Sequence, residues 1–301
     1  MLPVVPPLML AQLDGQYGEE MTKEIVEGFR HTRPVTLRVN RLRASREEVT
    51  RALTEADIRF EPVSWYEDAL VLPDAHAEAV RSLPLYERGG IYLQSLSAMV
   101  PPLVLQPRPD ETILDMAAAP GGKTTQMAAM TGGRAQITAC EKNRIRADRL
   151  QFNLDRQGAR RCTVMNTDAR QLDPLFSFDR ILLDAPCTGS GTLLLTGNEE
   201  QRRMDESWIK KITATQFAML TKASQLLRRG HEMVYSTCSI MEQENEAMVE
   251  RAVRQLGLEL LPIDGALRDS LPCLPSRLPE TLCIRPTALY EGFFVARLRK
   301  K

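Results

Sequence analysis

Two cysteines of this chain lie in short polar segments that follow apolar runs. Cys187 lies in the segment DAPCTG at 184–189, and Cys238 lies in STCS at 236–239. The apolar runs directly before these segments predict two buried strands. If the strands are neighbours in a parallel sheet, the two thiols meet in the crevice beyond its carboxyl edge. The pattern is typical of covalent attack by sulfur on a carbon atom of a substrate.

The remaining cysteines lack this setting. A free cysteine is usually a small buried hydrophobe. We expect that role for Cys140, Cys162, Cys273 and Cys283. None of the six cysteines forms a CxxC pair and the chain has three histidines, so we expect no zinc or other metal site.

A glycine turn lies upstream of both cysteine segments. The sequence DMAAAPGGKT at 115–124 follows a predicted strand and opens a predicted helix. Gly121 and Gly122 let the backbone approach a ligand closely. Glu141 ends the second predicted strand, 141 − 121 = 20 residues beyond the first glycine, where a carboxylate accepts hydrogen bonds from ribose hydroxyls. Asp168 follows the third predicted strand, where it could hold an adenine amino group.

The sequence of this turn matches neither of two common phosphate-binding motifs. A P-loop requires a glycine five residues before Gly122, and that position is Ala117. A dinucleotide fingerprint requires G-x-G-x-x-G, whereas the turn has the adjacent pair Gly121 and Gly122. Pro120 also lacks an amide N–H to donate to a phosphate. These features favour a nucleoside ligand without phosphates, and S-adenosylmethionine fits that description.

Thiols beside a methyl donor indicate one particular reaction. Carbon 5 of cytosine is a poor nucleophile, but addition of a thiolate to carbon 6 makes an enamine that can attack a sulfonium methyl group. Asp184, three residues before Cys187, is placed to stabilise the adduct as an acid at N3 of the ring. A base must then remove the carbon-5 proton before the thiol leaves. One thiol attacks and the second could assist release, and this chemistry alone leaves open which is which.

Composition narrows the class of protein. The 301 residues carry 39 basic and 39 acidic side chains, so a surface that binds polyanions everywhere is excluded. No apolar run approaches the ~18 residues of a membrane span, and the first residues lack the pattern of an export signal. We expect a cytoplasmic monomer that does not associate with a membrane.

Two regions differ in their pattern of predicted elements. Residues 1–88 contain a strand, a helix that follows a capping box at Ser45 and Glu48, and two further strands, which predicts a small α+β domain. Residues 89–301 alternate strands and helices, which predicts a parallel sheet with helices on both faces. The second domain would carry the crevice at the carboxyl ends of its strands.

Six arginines of the first domain lie in a window without acidic residues. They are Arg30, Arg33, Arg38, Arg41, Arg43 and Arg46. Such a run is either a solvated charged face or a surface that contacts RNA phosphates. In the second case, affinity for RNA falls by about 0.7 log units per log unit of salt for each single-strand phosphate neutralised.

The motifs and their order resemble the NOL/NOP/Sun family of RNA cytosine-5 methyltransferases across nearly the whole chain. The resemblance rests on ILDMAAAPGGKTTQ, ACEKN, NTDAR, ILLDAPCTGSGT, YSTCSI with Glu242 and the following ENE, and EGFFVARLRK. It implies a class I methyltransferase fold, with a Rossmann-like, mostly parallel seven-stranded sheet and a small N-terminal α+β domain like an RNA-recognition domain. It also implies S-adenosylmethionine as cofactor and RNA as partner, with ribosomal RNA favoured over transfer RNA.

The resemblance assigns roles to the matching residues. Cys238 would be the nucleophile, Cys187 would promote product release, and Lys123 would position Asp184 or the target base. The methyl donor would contact Ala117, Ala118, Ala119, Pro120, Gly121, Gly122, Lys123, Glu141, Asp168 and Asp184. DNA cytosine methyltransferases use the cysteine of the Pro-Cys pair as nucleophile, so the choice of Cys238 depends on the resemblance to the RNA family.

The sequence also allows two functions other than cytosine-5 methylation. An exocyclic amino methyltransferase with the same fold would grip an amine with Asp184 and Pro186, and it would need no thiol. An RNA-binding assembly factor with a vestigial cofactor pocket would need neither the thiols nor the methyl donor.

Overall fold

The computed structural model describes residues 5–195 and 204–301. Within these residues the α-helices are α1 (Pro7–Tyr17), α2 (Glu19–Gly28), α3 (Arg46–Glu55), α4 (Ala77–Arg81), α5 (Pro84–Glu87), α6 (Leu96–Leu105), α7 (Gly122–Met130), α8 (Arg144–Gln157), α9 (Glu206–Leu226), α10 (Glu246–Gln255) and α11 (Gly265–Asp269). The strands are β1 (Val35–Val39), β2 (Glu61–Pro62), β3 (Ala69–Leu72), β4 (Ile91–Leu93), β5 (Thr112–Asp115), β6 (Gln136–Cys140), β7 (Cys162–Met165), β8 (Phe178–Asp184), β9 (Leu227–Thr237), β10 (Leu258–Leu261), β11 (Leu282–Ile284) and β12 (Phe293–Lys300).

The N-terminal region forms a small antiparallel sheet in the order β2-β3-β1-β4. Its helix α3 begins at the predicted capping box, where the Glu48 N–H donates to the Ser45 hydroxyl at 3.1 Å and the Ser45 N–H donates to the Glu48 carboxylate at 2.7 Å. The predicted small α+β domain is confirmed. Because β4 pairs with β1, this sheet continues past residue 88, and a domain boundary at that residue stays a prediction.

The larger sheet has the strand order β10-β12-β9-β8-β5-β6-β7, with β11 paired to β12. The strands β5 to β9 run parallel, and β12 lies antiparallel to β9. The path contains the seven strands expected, and β11 adds an eighth at the outer side of β12. The fold is that of a class I methyltransferase, as the motifs imply.

Helices cover both faces of the larger sheet, as predicted. Side chains of a strand alternate between faces. In β8, Ile181 and Leu183 belong to the core that includes α1, α2, α9 and α10. Leu182 between them belongs to the opposite core, which includes α6, α7 and α8. None of the helices in the described ranges combines the length and apolarity needed to cross a membrane.

Candidate active site

The two thiols come together because their strands are parallel neighbours. β8 and β9 pair with Asp184 opposite Ser236, and both chains leave the sheet at the same edge. The sulfur of Cys187 lies 3.2 Å from the sulfur of Cys238. The Gly191 N–H donates to the Cys238 carbonyl at 3.0 Å, which ties the two loops together.

The surroundings of the two thiols differ in charge. The hydrogen bond with Cys187 lowers the pKa of the Cys238 thiol despite its burial. The Asp184 carboxylate acts to raise this pKa and the Lys123 ammonium acts to lower it. The pKa of the Cys187 thiol is raised, first by its hydrogen bond to Cys238 and then by burial and the Glu244 carboxylate. The hydrogen bond between the sulfurs therefore favours the thiolate at Cys238 over the thiolate at Cys187.

Asp184 is held by two donors at the end of β8. Lys123 donates from Nζ to Oδ2 at 2.6 Å, and Ser236 donates from Oγ to Oδ1 at 2.9 Å. Burial disfavours the Lys123 charge, but the Asp184 carboxylate outweighs this effect and the pKa of Lys123 is raised. The protonated Lys123 therefore links the glycine turn to the loop that carries Cys187.

Glu244 is a functional candidate to which the sequence analysis assigned no role. Its carboxylate is fully buried. It accepts hydrogen bonds from the Thr188 N–H at 2.8 Å, the Thr188 hydroxyl at 2.6 Å, the Ser239 hydroxyl at 2.5 Å and the Gln216 amide at 3.3 Å. Thr188 and Ser239 each follow one of the two cysteines, so a single carboxylate holds both thiol loops. The signal in the sequence was an acidic segment, ENE at 244–246, shortly after the STCS segment that carries Cys238.

The glycine turn depends on the conformations that glycine allows. Gly121 caps α7 with φ of +108°, in the region that favours glycine. A Cβ on Gly122 would lie 3.1 Å from the Tyr92 ring, so the turn lies close against β4 of the small sheet. Before the turn, Asp115 accepts a hydrogen bond from Thr124 at 2.7 Å, and burial raises the pKa of Asp115 to about 6.

Two side chains of α8 hold the peptide groups that precede the glycines. Arg146 donates to the Ala119 carbonyl at 2.9 Å, and Asn153 donates to the Pro120 carbonyl at 2.8 Å. These bonds turn the carbonyls toward α8. The turn is therefore fixed from one side by helix α8 and from the other by the small domain.

A cavity of about 240 Å³ lies between the glycine turn and the thiols. Predicted site residues on its wall are Ala117, Ala119, Glu141, Asp168, Asp184, Cys187 and Cys238. Glu141 pairs with Arg146 at 3.3 Å. Asp168 pairs with Arg170 at 2.6 Å, and hydrogen bonding to Arg170 lowers the pKa of Asp168 despite partial burial. The strand ends thus present carboxylates and thiols to one cavity.

A second cavity, of about 220 Å³, lies on the other side of the same turn. Predicted site residues on its wall are Ala117, Ala118, Ala119, Pro120, Gly122, Lys123 and Asp184. Tyr92 of β4 and Gln94 directly after that strand also line it. Gly121 lines neither cavity, and its part is the geometry of the turn. The predicted donor-binding residues are therefore divided between two adjacent cavities that share Ala117, Ala119 and Asp184.

The first cavity fits a nucleoside better than a metal ion. Glu141 and Asp168 stand at the ends of β6 and β7, where hydrogen-bond acceptors suit ribose hydroxyls and an adenine amine. The arginines on this wall, Arg146 and Arg170, are paired with these carboxylates. In residues 5–195 and 204–301, no three His, Cys, Asp or Glu side chains converge as they would around a metal ion.

The arginine window does not form one face. Arg38 is fully buried, donates to Gln94 at 3.2 Å and to Thr125 at 3.0 Å, and its burial lowers its pKa. For Arg38, both interpretations of the window are wrong, because β1 packs this side chain against α7. Arg33 donates to a main-chain carbonyl at 2.9 Å, and Arg41 is paired with Asp68. Arg43 remains exposed beside α8.

The mostly parallel sheet and the cavity beyond its strand ends define the class of this protein, a class I methyltransferase. Residues 102–299 match the family model described as 16S rRNA methyltransferase RsmB/F. Residues 5–77 match the model of the ferredoxin-like domain of RsmF/B-like methyltransferases. The chain belongs to the RsmB/F methyltransferase family, which agrees with the resemblance inferred from its motifs.

Individual relatives are similar to nearly the whole chain. The 25S rRNA (cytosine-C(5))-methyltransferase nop2 of Schizosaccharomyces pombe is 34% identical over 92% of this chain and 48% of its own length. Ribosomal RNA small subunit methyltransferase F of a Shewanella species (strain ANA-3) is 33% identical over 88% of this chain and 56% of its own length. The tRNA (cytosine(72)-C(5))-methyltransferase of Pyrococcus horikoshii is 35% identical over 77% of this chain and 58% of its own length. The chain therefore spans about half the length of these curated relatives.

A solved structure of a methyltransferase homolog from Pyrococcus horikoshii superposes with a TM-score of 0.83. It is 30% identical, and the match covers 99% of this chain and 100% of that one. Both domains of the fold are therefore present in that structure.

Proposed function

We propose that this chain methylates carbon 5 of a cytosine in RNA, through a transient bond from the sulfur of Cys238 to carbon 6. The observation that carries the proposal is the 3.2 Å approach of the two sulfurs on the wall of a cavity that also presents Glu141 and Asp168. Relatives named as cytosine-C(5) methyltransferases support the reaction. Ribosomal RNA is the favoured substrate because nop2 and methyltransferase F carry that substrate in their names, and transfer RNA is the alternative.

S-adenosylmethionine, when bound, supplies an electrophilic methyl group. Glu141 would accept hydrogen bonds from its ribose hydroxyls, and Asp168 would accept them from its adenine amine. The turn at 117–123 would contact the rest of the molecule, with the close backbone approach that Gly121 and Gly122 allow. The cavity wall then holds the donor beside the thiols.

The first step uses the difference in pKa between the two thiols. The Cys238 thiolate adds to carbon 6, the electron pair of the C5–C6 double bond moves through the ring, and N3 takes up a proton. The proton would come from the Lys123 ammonium, which contacts Asp184 at 2.6 Å, and Asp184 would pass it on to N3. Carbon 5 becomes electron-rich, which is the property that methylation requires.

The last step returns the enzyme to its starting state. A base removes the proton from the methylated carbon 5, the C5–C6 double bond forms again, and Cys238 leaves as a thiolate. N3 then returns the proton that it took up in the first step to the Asp184–Lys123 pair. Because the raised pKa of Cys187 keeps its S–H protonated, it can donate to the departing sulfur 3.2 Å away. In this proposal Cys187 therefore promotes release and does not attack.

The remaining expectations belong to the same proposal. The chain acts as a monomer without a metal ion, and it acts in the cytoplasm, where reducing conditions keep two adjacent thiols free. All six cysteines are free in the structure, which suits that setting. The units at 1–88 and 89–301 divide RNA binding from methyl transfer, with β4 joining the second unit to the small sheet.

Substitution of the nucleophile tests the reaction. Purified wild-type protein, Cys238→Ser and the control Cys273→Ser are incubated with radiolabelled methyl donor and either ribosomal or transfer RNA, and bisulfite sequencing locates the product. We expect Cys238→Ser to lose methylation while it still binds the donor in calorimetry, and Cys273→Ser to keep both. Methylation retained by Cys238→Ser would reject the covalent route in favour of an exocyclic amine. Failure of the wild-type protein to bind the donor would favour the assembly factor.

A further inference from the structure

The exposed side of α8 carries arginine and apolar side chains in alternation. Ile145, Arg149, Phe152 and Arg156 are spaced at i, i+4, i+7 and i+11, which places them along one stripe of the helix. Ile145 is 80% exposed and Phe152 is 63% exposed. These four residues, called the α8 stripe below, combine two large apolar side chains with two cationic ones.

The segment around the stripe is cationic in a chain with no net charge. Residues 142–161 contain seven basic and two acidic residues, a balance of 7 − 2 = +5, whereas the whole chain has a formal net charge of zero. Across the described ranges, no carboxylate oxygen lies within 4.0 Å of a guanidinium nitrogen of Arg149 or Arg156. A local excess of unpaired positive charge attracts a polyanion such as RNA.

Aromatic rings accompany the arginines at one end of the stripe. The guanidinium carbon of Arg156 lies 4.4 Å from the centre of the Tyr86 ring and 5.6 Å from the centre of the Phe152 ring. The Nε atom of Arg156 is buried without a hydrogen-bond partner. An exposed aromatic ring beside stacked arginine is the surface on which bases of single-stranded nucleic acid stack, with little preference for sequence.

The stripe runs from the cavity to the small domain. Arg146, next to Ile145, lies on the wall of the first cavity, and Arg156 at the other end stacks on Tyr86 of α5. With a rise of 1.5 Å per residue, the stripe is about 17 Å long. A strand that delivers a base to the cavity could follow this helix toward the small domain.

We propose that the α8 stripe binds single-stranded RNA that flanks the target cytosine. Arg149 contacts a phosphate, Phe152 stacks on a base, and Arg156 supports the Phe152 ring. The inference rests on the proposed function, because the RNA strand passes along α8 only if its target cytosine enters the first cavity. It assigns substrate binding to the catalytic domain as well as to the small domain.

Binding of a labelled oligonucleotide tests the stripe without any methyl transfer. Fluorescence anisotropy with a short fluorescein-labelled oligocytidylate compares the wild-type protein with Phe152→Ser and Arg149→Gln. Matched controls are Leu175→Ser, which removes a side chain that is 90% exposed, and Arg254→Gln on α10, across the sheet from α8. We expect Phe152→Ser to weaken binding about tenfold. Arg149→Gln should lower the slope of log affinity against log salt by about 0.7.

The outcomes separate this inference from the proposed function. The proposal that the α8 stripe binds RNA would be overturned if both stripe variants keep the wild-type affinity and salt slope. An equal loss of affinity in both controls would also overturn it. Both results hold even if the wild-type protein methylates cytosine. Sedimentation that shows Phe152→Ser dissociating a wild-type dimer would also overturn it, since the stripe would then join two copies. If the stripe variants lose binding but the wild-type protein does not methylate cytosine, RNA binding by the α8 stripe is supported and the proposed reaction is rejected.

Discussion

Replacement of Glu244 by glutamine tests whether one buried carboxylate anchors both thiol loops. The change preserves shape but removes the charge and turns one acceptor oxygen into a donor. The carboxylate accepts hydrogen bonds from Thr188, Ser239 and Gln216. Hydrogen bonds to a charged group contribute about 1.5–3 kcal/mol each, against about 0.5–1.5 kcal/mol for neutral pairs. Relief from burying a charge offsets part of the loss, so we expect the free energy of unfolding to fall by about 2 kcal/mol. The melting temperature should fall by about 3 °C.

The same substitution changes the chemistry of one thiol. The Glu244 carboxylate helps to raise the pKa of Cys187, so its removal should let Cys187 ionise at lower pH. Alkylation by iodoacetamide across a pH series, measured at each cysteine by peptide mass spectrometry, reports this change directly. We expect Cys187 to react at lower pH than in the wild-type protein and methylation to slow, because the two loops lose their common anchor.

A surface carboxylate provides the control for Glu244. Glu259 pairs with Arg299 at 2.8 Å, and both side chains are exposed. Glu259→Gln should change the free energy of unfolding by no more than about 0.5 kcal/mol and leave both alkylation profiles unchanged. A wild-type alkylation profile for Cys187 in Glu244→Gln, together with a wild-type melting temperature, would refute the reasoning.

Three further predictions concern the thiols and the glycine turn. Cys187→Ala should accumulate a protein–RNA adduct that survives denaturing electrophoresis, because release slows after attack; an adduct in Cys238→Ala instead would mean that the two roles are exchanged. Lys123→Met removes a cation that lowers the pKa of Cys238, so alkylation of Cys238 should require higher pH, and an unchanged profile would show that the ammonium does not act on that sulfur. Asp115, whose pKa is raised to about 6, holds its proton in the folded state where the unfolded chain has lost it. The wild-type protein should therefore lose up to about 3 kcal/mol of unfolding free energy relative to Asp115→Asn as the pH rises from about 4 to about 6, and no more above that range. Chemical denaturation of both proteins at several pH values measures this difference. A difference that does not vary with pH would contradict the prediction.

Local signals in the sequence were sufficient for the elements that carry the site. The capping box at Ser45, the glycines of the turn and the polar residues after apolar runs act over a few neighbours in the chain, so their patterns predict where helices and strands begin and end. Parallel pairing of β8 and β9 then follows from the alternation of strands and helices, and it places both thiols at one edge. The motifs also indicated the family.

The tertiary structure decided what those residues can do. The spacing of 3.2 Å between the sulfurs depends on loops joined by Glu244, a residue whose role no local pattern shows. Burial of Arg38 depends on α7, which lies far along the chain, so a window of like charges could not reveal which arginine faces water. The ionisation of a thiol depends on the charges and solvent around it, and those charges come from segments that meet only when the chain folds.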